Sequence, residues 1–341
     1  MPLARNYQYQ KKIVTIGGGT GHFTCLRGFV KLNQPDLITA VAGNWDSGRS
    51  SGALRVEEGI LPPGDYMQCL LALMEDDNQL QEAILILRDR TGGHPLVNLL
   101  GAKSEKAHHG VDEGINGLRK LFRIQANIIP VSLVDVDLNA ETRQGTYLIH
   151  EDRIDEMQND PAFSAGDELA RIYLDVAADA NPRALSVIKQ ADKIIIPPGS
   201  PYTSIFPHLL VKGIPQAIQH AKGKLVAILN LMTTAGEDRH LTSASRWLEV
   251  FQYYLGDKEW IKINGKSRID YLIVNENHID KEVLEIYQSQ GQNLVEIDKK
   301  RCEELAPGLQ IISSNLVKYD KYSHLLRHDP EELAQLILSL P

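Results

Sequence analysis

The feature that most constrains this chain is a repeated alternation. Short, continuously apolar, β-branched runs are followed by small or polar residues and then by amphipathic segments. "KKIVTI", "LITAVAG" (Leu37–Gly43), "DKIIIPPGS" (Asp192–Ser200), "KLVAILNL" (Lys224–Leu231), "RIDYLIVN" (Arg268–Asn275) and "GLQIISS" (Gly308–Ser314) read as strands. A strand apolar on both sides is buried on both faces, and that requires helices above and below a parallel sheet. The expected fold is α/β, with a mostly parallel sheet and helices on both faces. Asn181-Pro182 and Asp329-Pro330 each place a capping side chain before a proline at the first helical position.

Two stretches depart from the alternation. Residues 67–122 read as mainly helical. "IIPVSLVDVDLNAETRQGTYLIHEDRI" (Ile128–Ile154) alternates apolar and polar residues around a turn-rich middle and reads as one or two hairpins. Together they form an expected helical and hairpin insertion, residues 67–155, within a single domain spanning 1–341. The 341 residues carry a formal net charge of −8, which argues against broad binding to nucleic acid or acidic membranes. No apolar run is long enough to span a membrane, and "MPLARNYQYQKK" lacks the apolar core of a signal peptide. The three cysteines, Cys25, Cys69 and Cys302, then read as reduced thiols, and the expected location is cytoplasmic.

The first strand runs into Gly17-Gly18-Gly19-Thr20-Gly21 and then a helical pattern over Phe23–Leu32. Glycines let backbone N–H groups approach an anion, and the helix behind adds its positive end. The spacing is G-x-G-x-G, and no acidic residue ends the second strand, so no NAD site is expected. Gly265-Lys266-Ser267 lacks the earlier glycine of a P-loop, since Trp260 stands there, and Asn264-Gly265 reads as a hairpin turn.

Ligands of open α/β sheets bind beyond the carboxyl ends of the strands. The segment after the second strand, Asn44 to Asp65, reads as a long loop carrying Asp46, Arg49, Ser50, Ser51, Arg55 and Asp65. After the third come Gly199, Ser200, Tyr202, Thr203 and Ser204, and after the fourth Thr233, Thr234, Gly236 and Glu237. Four such loops at one edge describe a polar cleft for a phosphorylated ligand. "GGHPLVN" adds His94 and Asn98. Asp46 and Asp65 are candidates to hold Mg²⁺ beside phosphate oxygens. Gly48-Arg49-Ser50-Ser51-Gly52 fits G-x-S-x-G, but polar residues separate Ser50 from the strand, unlike a nucleophile elbow. His324 and His328 stand four apart without an evident third zinc ligand.

In this order, "IGGGTG", "SSGALR", "GILPPGD", "GHPLVNLL", "PPGSPYTSIFPHLLVKGI" and "LNLMTTAGEDRHLTSAS" resemble the YvcK/CofD family, and the gluconeogenesis-factor branch most closely. The resemblance runs from about Lys12 to "LLRHDP" and implies a Rossmann-like fold with a large cleft for a phosphate-rich ligand. In the CofD branch a phospholactate group passes from a guanosine diphosphate donor to a deazaflavin hydroxyl, with a divalent metal. The YvcK branch is associated with cell shape and wall synthesis on gluconeogenic carbon and with UDP-sugar binding. Carried over by motif, the ligand lies near Gly18, Gly19, Thr20, Gly21, Asp46, Ser50, Ser51, Asp65, His94, Asn98, Gly199, Ser200, Tyr202 and Thr203. The family's "DDGGSSG" has Ser47 and Arg49 at its second and fourth positions here. Met67 and Gln68 replace an arginine and an asparagine, and "GHPLVN" stands for "GHSFGN".

The expected function is a cytosolic regulator that binds a nucleotide or nucleotide-sugar, with Arg49 neutralising phosphate charge and Tyr202 contacting base or sugar. The alternative is a transferase in which Asp46 and Asp65 hold the metal or activate a hydroxyl and His94 assists proton transfer. Neither reading involves nucleic acid or membrane insertion, and homo-oligomerisation is left open.

Overall fold

The computed structural model describes residues 11–32, 34, 37–48, 50–159, 167–276, 279–320 and 325–341. The chain opens with β1 (Ile13–Gly17), α1 (Gly19–Lys31) and β2 (Ile38–Ala42). A helical excursion follows: α2 (Ser51–Glu58), α3 (Gly64–Ala72), α4 (Asp77–Leu87), the small hairpin β3 (Arg90–Thr91) and β4 (His94–Pro95), α5 (Leu96–His108) and α6 (Val111–Leu121). β5 (Asn127–Pro130) returns to the main sheet. β6 (Leu138–Thr142), β7 (Tyr147–Leu148), α7 (Glu151–Asp155) and β8 (Leu169–Leu174) build a small antiparallel sheet and one short helix beside it. The second half runs α8 (Pro182–Gln190), β9 (Lys193–Ile196), α9 (Ile214–His220), β10 (Lys224–Ile228), α10 (Ala244–Leu255), α11 (Asp257–Asn264), β11 (Tyr271–Asn275), α12 (Lys281–Ser289), α13 (Lys299–Leu305) and β12 (Gln310–Ser314). A last hairpin, β13 (Val317–Asp320) and β14 (Leu325–His328), leads into α14 (Pro330–Ser339).

The main sheet has seven parallel strands in the order β12-β11-β10-β9-β1-β2-β5. From β1 the chain winds one way through β2 and β5, then crosses to β9 and winds the other way. The order reverses between β1 and β9. At such a switch point the connections leave toward opposite faces, and a crevice opens beyond the strand ends. Strand alternation supplies both cores: Val14, Ile16, Val41, Ile194 and Ile196 face one layer, and Ile13, Ile38, Ala40, Ile195 and Val226 the other.

Local chemistry explains the element ends. Asn181 accepts from the Arg183 N–H at 2.9 Å, and Asp329 accepts from Glu331 and Glu332, so both proline-containing helix starts form as their sequences specify. Three details differ from the sequence reading. Asn127–Pro130 is the edge strand of the parallel sheet, so only the later part of the 128–154 stretch makes a hairpin; the polar flanks of so short an edge strand hide its parallel pairing. The 44–65 segment is not all loop, because it contains α2. Asn264-Gly265 is no hairpin turn: Gly265, at φ +70°, ends α11 in the left-handed conformation.

Arg27 ties α1 to the helical excursion. Its buried guanidinium donates to the Ala72 carbonyl at 3.0 Å and pairs with Asp77. Arg27→Ala leaves a buried carbonyl without its donor and is expected to lower stability by about 2 kcal/mol, read as a lower urea midpoint at unchanged m.

Candidate functional site

The glycines of the first loop are contact positions as much as turn positions. An added Cβ would lie 2.6 Å from Pro197 Cγ at Gly17, 2.4 Å from Asp65 Oδ2 at Gly18, and 1.9 Å from the Pro198 carbonyl oxygen at Gly21. Gly19 has φ +65°. The loop is therefore bare because the Pro197 ring, the Asp65 carboxyl and the Pro198 backbone press directly against it. α1 starts at Gly19 itself, earlier than the apolar pattern shows. The first-turn N–H groups of a helix have no partner within it. Gly19 N–H donates to Asp65 Oδ1 at 3.0 Å, and the Thr20 and Gly21 N–H groups have no partner among the described residues.

The facing wall comes from the chain after β9. Gly199 donates its N–H to Asn230 Oδ1 and accepts from Asn230 Nδ2, both at 2.8 Å, so Asn230 at the end of β10 fixes that loop. The next residues form a wide turn in which the Ser204 and Ile205 N–H groups share the Ser200 carbonyl, at 2.9 and 3.2 Å. Trp45 is fully buried and donates Nε1–H to the Thr203 carbonyl at 2.8 Å, which holds Asp46 beside this turn. Between the walls lies a cleft of about 490 Å³. Gly18, Gly19, Thr20, Gly21, Asp46, Asp65, Gly199, Ser200, Thr203, Ser204 and Thr234 all line it.

Its electrostatics are lopsided. Among the described residues, four carboxylates, Asp46, Asp65, Glu151 and Asp155, line the cleft, against one guanidinium, Arg327. Burial, then the Asp46 charge, pushes the Asp65 carboxyl up to about 7, against the pull of the Gly19 N–H. Burial and then Asp46, Asp155 and Asp65 push Glu151 up to about 9. Burial also raises Asp46, although Ser51 and the Gly48 N–H hold it back. Like charges so close to one another favour protonation or a bound cation. Among the described residues no three His, Cys, Asp or Glu side chains converge as a metal cage, so any divalent ion here takes one or two carboxylates and completes its shell from the ligand or water.

Several candidates lie elsewhere. Ser50, Ser51, His94 and Asn98 form a neighbouring cluster: His94 Nδ1 is 3.1 Å from Ser50 Oγ, and Asn98 Nδ2 donates to Ser50 Oγ at 3.0 Å. His94 lines a separate surface hollow with Ala53, Glu57 and Arg90. Ser51 links this cluster to the cleft through its bond to Asp46. Tyr202 is buried against Phe206, with its hydroxyl 3.0 Å from His240 Nε2, and does not face the cleft. Gly236 packs on Gln158. Arg49 and His324 lie outside the described residues. Arg55 pairs with Asp135 and Asp137, away from the lining.

Sequence reasoning missed Asn230, Glu151 and Asp155, which line the cleft, and it named Gln68 and His328 without placing them there. Asn230 was findable as a polar residue closing a buried strand. Glu151 and Asp155 were not, because α7 is brought in by Ser47: its hydroxyl accepts from the Asp152 N–H at 3.1 Å. Met67 and Gln68 diverge in role, Met67 entering the core while Gln68 faces the cleft.

The family described as 2-phospho-L-lactate transferase CofD matches residues 13–317. The gluconeogenesis factor of Bacillus subtilis is 34% identical over 335 residues, covering 96% of this chain and 98% of that protein. The gluconeogenesis factor of Halalkalibacterium halodurans is 31% identical, covering 96% of each. A crystal structure of a Bacillus halodurans protein superposes with a TM-score of 0.84 at 30% identity, covering 97% of this chain and 100% of that one.

Proposed function

The chain belongs to the CofD family, alongside its gluconeogenesis factors, and from that premise we propose that its cleft binds a nucleoside diphosphate or nucleotide-sugar and that the protein acts as a metabolic regulator. One observation carries this reading. The open first turn of α1 and the Gly199–Ser204 turn face each other across a cleft at the point where the strand order reverses. The Thr20 and Gly21 N–H groups, with the Ser200, Thr203 and Ser204 hydroxyls, supply donors for phosphate oxygens. Asp46 and Asp65 fit a Mg²⁺ held through one or two carboxylates, because a phosphate beside so many carboxylates needs a shared cation. The names of the relatives support a role in carbon metabolism, and the family resemblance supports one in envelope synthesis and cell shape. No helix among the described residues is long and apolar enough to cross a membrane.

A transferase is the second reading, favoured by Asp65. A carboxyl pushed to about 7 exchanges its proton near neutrality, as a base for an acceptor hydroxyl must. His94 is screened from that chemistry by Ser50 and Ser51.

Calorimetric titration with UDP-sugars and guanosine nucleotides, with and without Mg²⁺, tests both. Saturable binding without turnover is the outcome expected. Turnover that disappears in Asp46→Asn would make the protein an enzyme, and indifference to every nucleotide would remove both readings.

A further inference from the structure

The amino end of the sheet carries a charged feature of opposite sign to the cleft. The main-sheet strands are parallel, so the chain enters each of them at the end remote from the cleft. There, between the end of α6 and the start of β5, lies a hollow of about 590 Å³. Arg119, Lys120 and Arg123 line it beside Asn116, against one carboxylate among the described residues, Glu113. Glu113 sits in the first turn of α6 and Lys120 in the last, roughly 10 Å apart along the axis. The formal net charge of the chain is −8, so this concave cluster of cations runs against the charge of the whole molecule.

None of the three cations has a carboxylate partner among the described residues. Arg119 is held instead by neutral acceptors. It donates to Asn116 Oδ1 at 3.2 Å and to the Gln125 carbonyl at 3.0 Å, and its buried Nε has no partner among the described residues. A guanidinium carries five N–H donors in a planar fork, so the head is clamped in place with donors and charge unanswered. Burial, then the Arg183 charge, holds it below its ordinary value, and a bound anion reverses that pressure.

Arg123 is the second observation. α6 closes with the Ile124 N–H on the Arg119 carbonyl at 2.9 Å and the Arg123 N–H on the Lys120 carbonyl at 3.2 Å. This closure puts the residue after the C-cap in the left-handed region, where glycine is the usual occupant. Here it is Arg123, at φ +57°. The attraction of helix C-termini for cations explains Arg119 and Lys120 in the last turn. It does not explain a long cation kept where any side chain costs strain, and such strain collects at functional positions.

We propose that this hollow is a second anion site, which takes a phosphate monoester on the Arg119 fork with Lys120 and Arg123 on its remaining oxygens. A monoester suits three cations because it brings three acceptor oxygens and nearly two charges, and arginine pairs with it through two parallel bonds. The site does not rest on the reading of the cleft: it lies at the other end of the sheet and uses no metal. A free phosphate ester and a phosphatidic acid headgroup share this chemistry.

The test is run in EDTA, where the carboxylates disfavour anions in the cleft. Glycerol 3-phosphate is titrated into the ¹⁵N-labelled full chain, and phosphatidylcholine vesicles with and without phosphatidic acid are sedimented with it. Glycerol 3-phosphate should shift the amides of residues 119–125 to saturation, and glycerol should not. Arg119→Gln and Lys120→Gln should each weaken binding by about ten-fold or more. Arg123→Gly should weaken it as much while leaving the melting temperature no lower than that of the wild type, a split that a purely structural role for this side chain does not produce. Sedimentation with phosphatidic acid vesicles alone would identify a lipid headgroup as the source of the ester, and its absence a free ester. Failure of glycerol 3-phosphate and phosphatidic acid alike, unchanged affinity in Arg119→Gln and Arg123→Gly, or shifts confined to Thr20 and Gly21 would overturn the site.

Discussion

Gly21→Ala is expected to weaken binding of Mg²⁺-pyrophosphate by at least 100-fold and to cost about 1–3 kcal/mol of stability. The new methyl carbon would sit 1.9 Å from the Pro198 carbonyl oxygen and 2.5 Å from its carbon. Both are backbone atoms, so no side chain can swing aside. α1 and the loop after β9 must separate, and with them the two sets of donors. Gly59→Ala is the control. Gly59 has φ +63° and no heavy atom near its added Cβ, so it should lose about 1 kcal/mol from strain alone and bind as wild type. Equal binding by both variants would show that the approach at Gly21 serves packing only.

The second large effect concerns the carboxylates. Asp46→Asn/Asp65→Asn is expected to abolish the Mg²⁺ dependence of pyrophosphate binding and to raise metal-free affinity by about 100-fold. A carboxylate about 5 Å from a phosphate charge costs roughly 3 kcal/mol at an effective dielectric of 20. The sign with pH follows from Asp65. Its carboxyl lies above its ordinary range, at about 7, so it is mostly protonated at pH 6 and mostly ionised at pH 8. Metal-free affinity in the wild type should therefore fall as pH rises from 6 to 8, and more steeply than in the double variant, where Glu151 remains a carboxyl raised toward this range. The same raised value means that Asp65 favours the folded state below about pH 4 and loses that contribution as pH climbs through 7. Calorimetry at pH 6, 7 and 8, with Mg²⁺ or EDTA, measures the first effect. Affinity that rises with pH without metal would contradict it.

The sheet was legible because its strands are fully buried: Ile13–Ile16 and Lys193–Ile196 carry side chains into both layers and leave no ambiguity about pairing type. β5 was not, because a four-residue edge strand closing on Pro130 carries too little pattern. At the site, the donors were legible and the acids were not. Gly18–Gly21 and Gly199–Ser204 announce themselves by composition at strand ends. Glu151 and Asp155 arrive from about a hundred residues beyond the loop they face, through the bond from Ser47 to α7. Tyr202 shows the opposite error. It sits among cleft residues in sequence, but a wide turn rotates its ring into the core beside Phe206 while Thr203 and Ser204 face outward to the cleft.

The most direct measurement is a titration of ¹⁵N-labelled protein with Mg²⁺-pyrophosphate, followed through the backbone amides. The Thr20 and Gly21 protons should shift downfield and saturate together, with the Ser200–Ser204 resonances moving at the same midpoint. Thr20 and Gly21 amides that stay fixed while pyrophosphate binds elsewhere would contradict the convergence of separate chain segments on one phosphate.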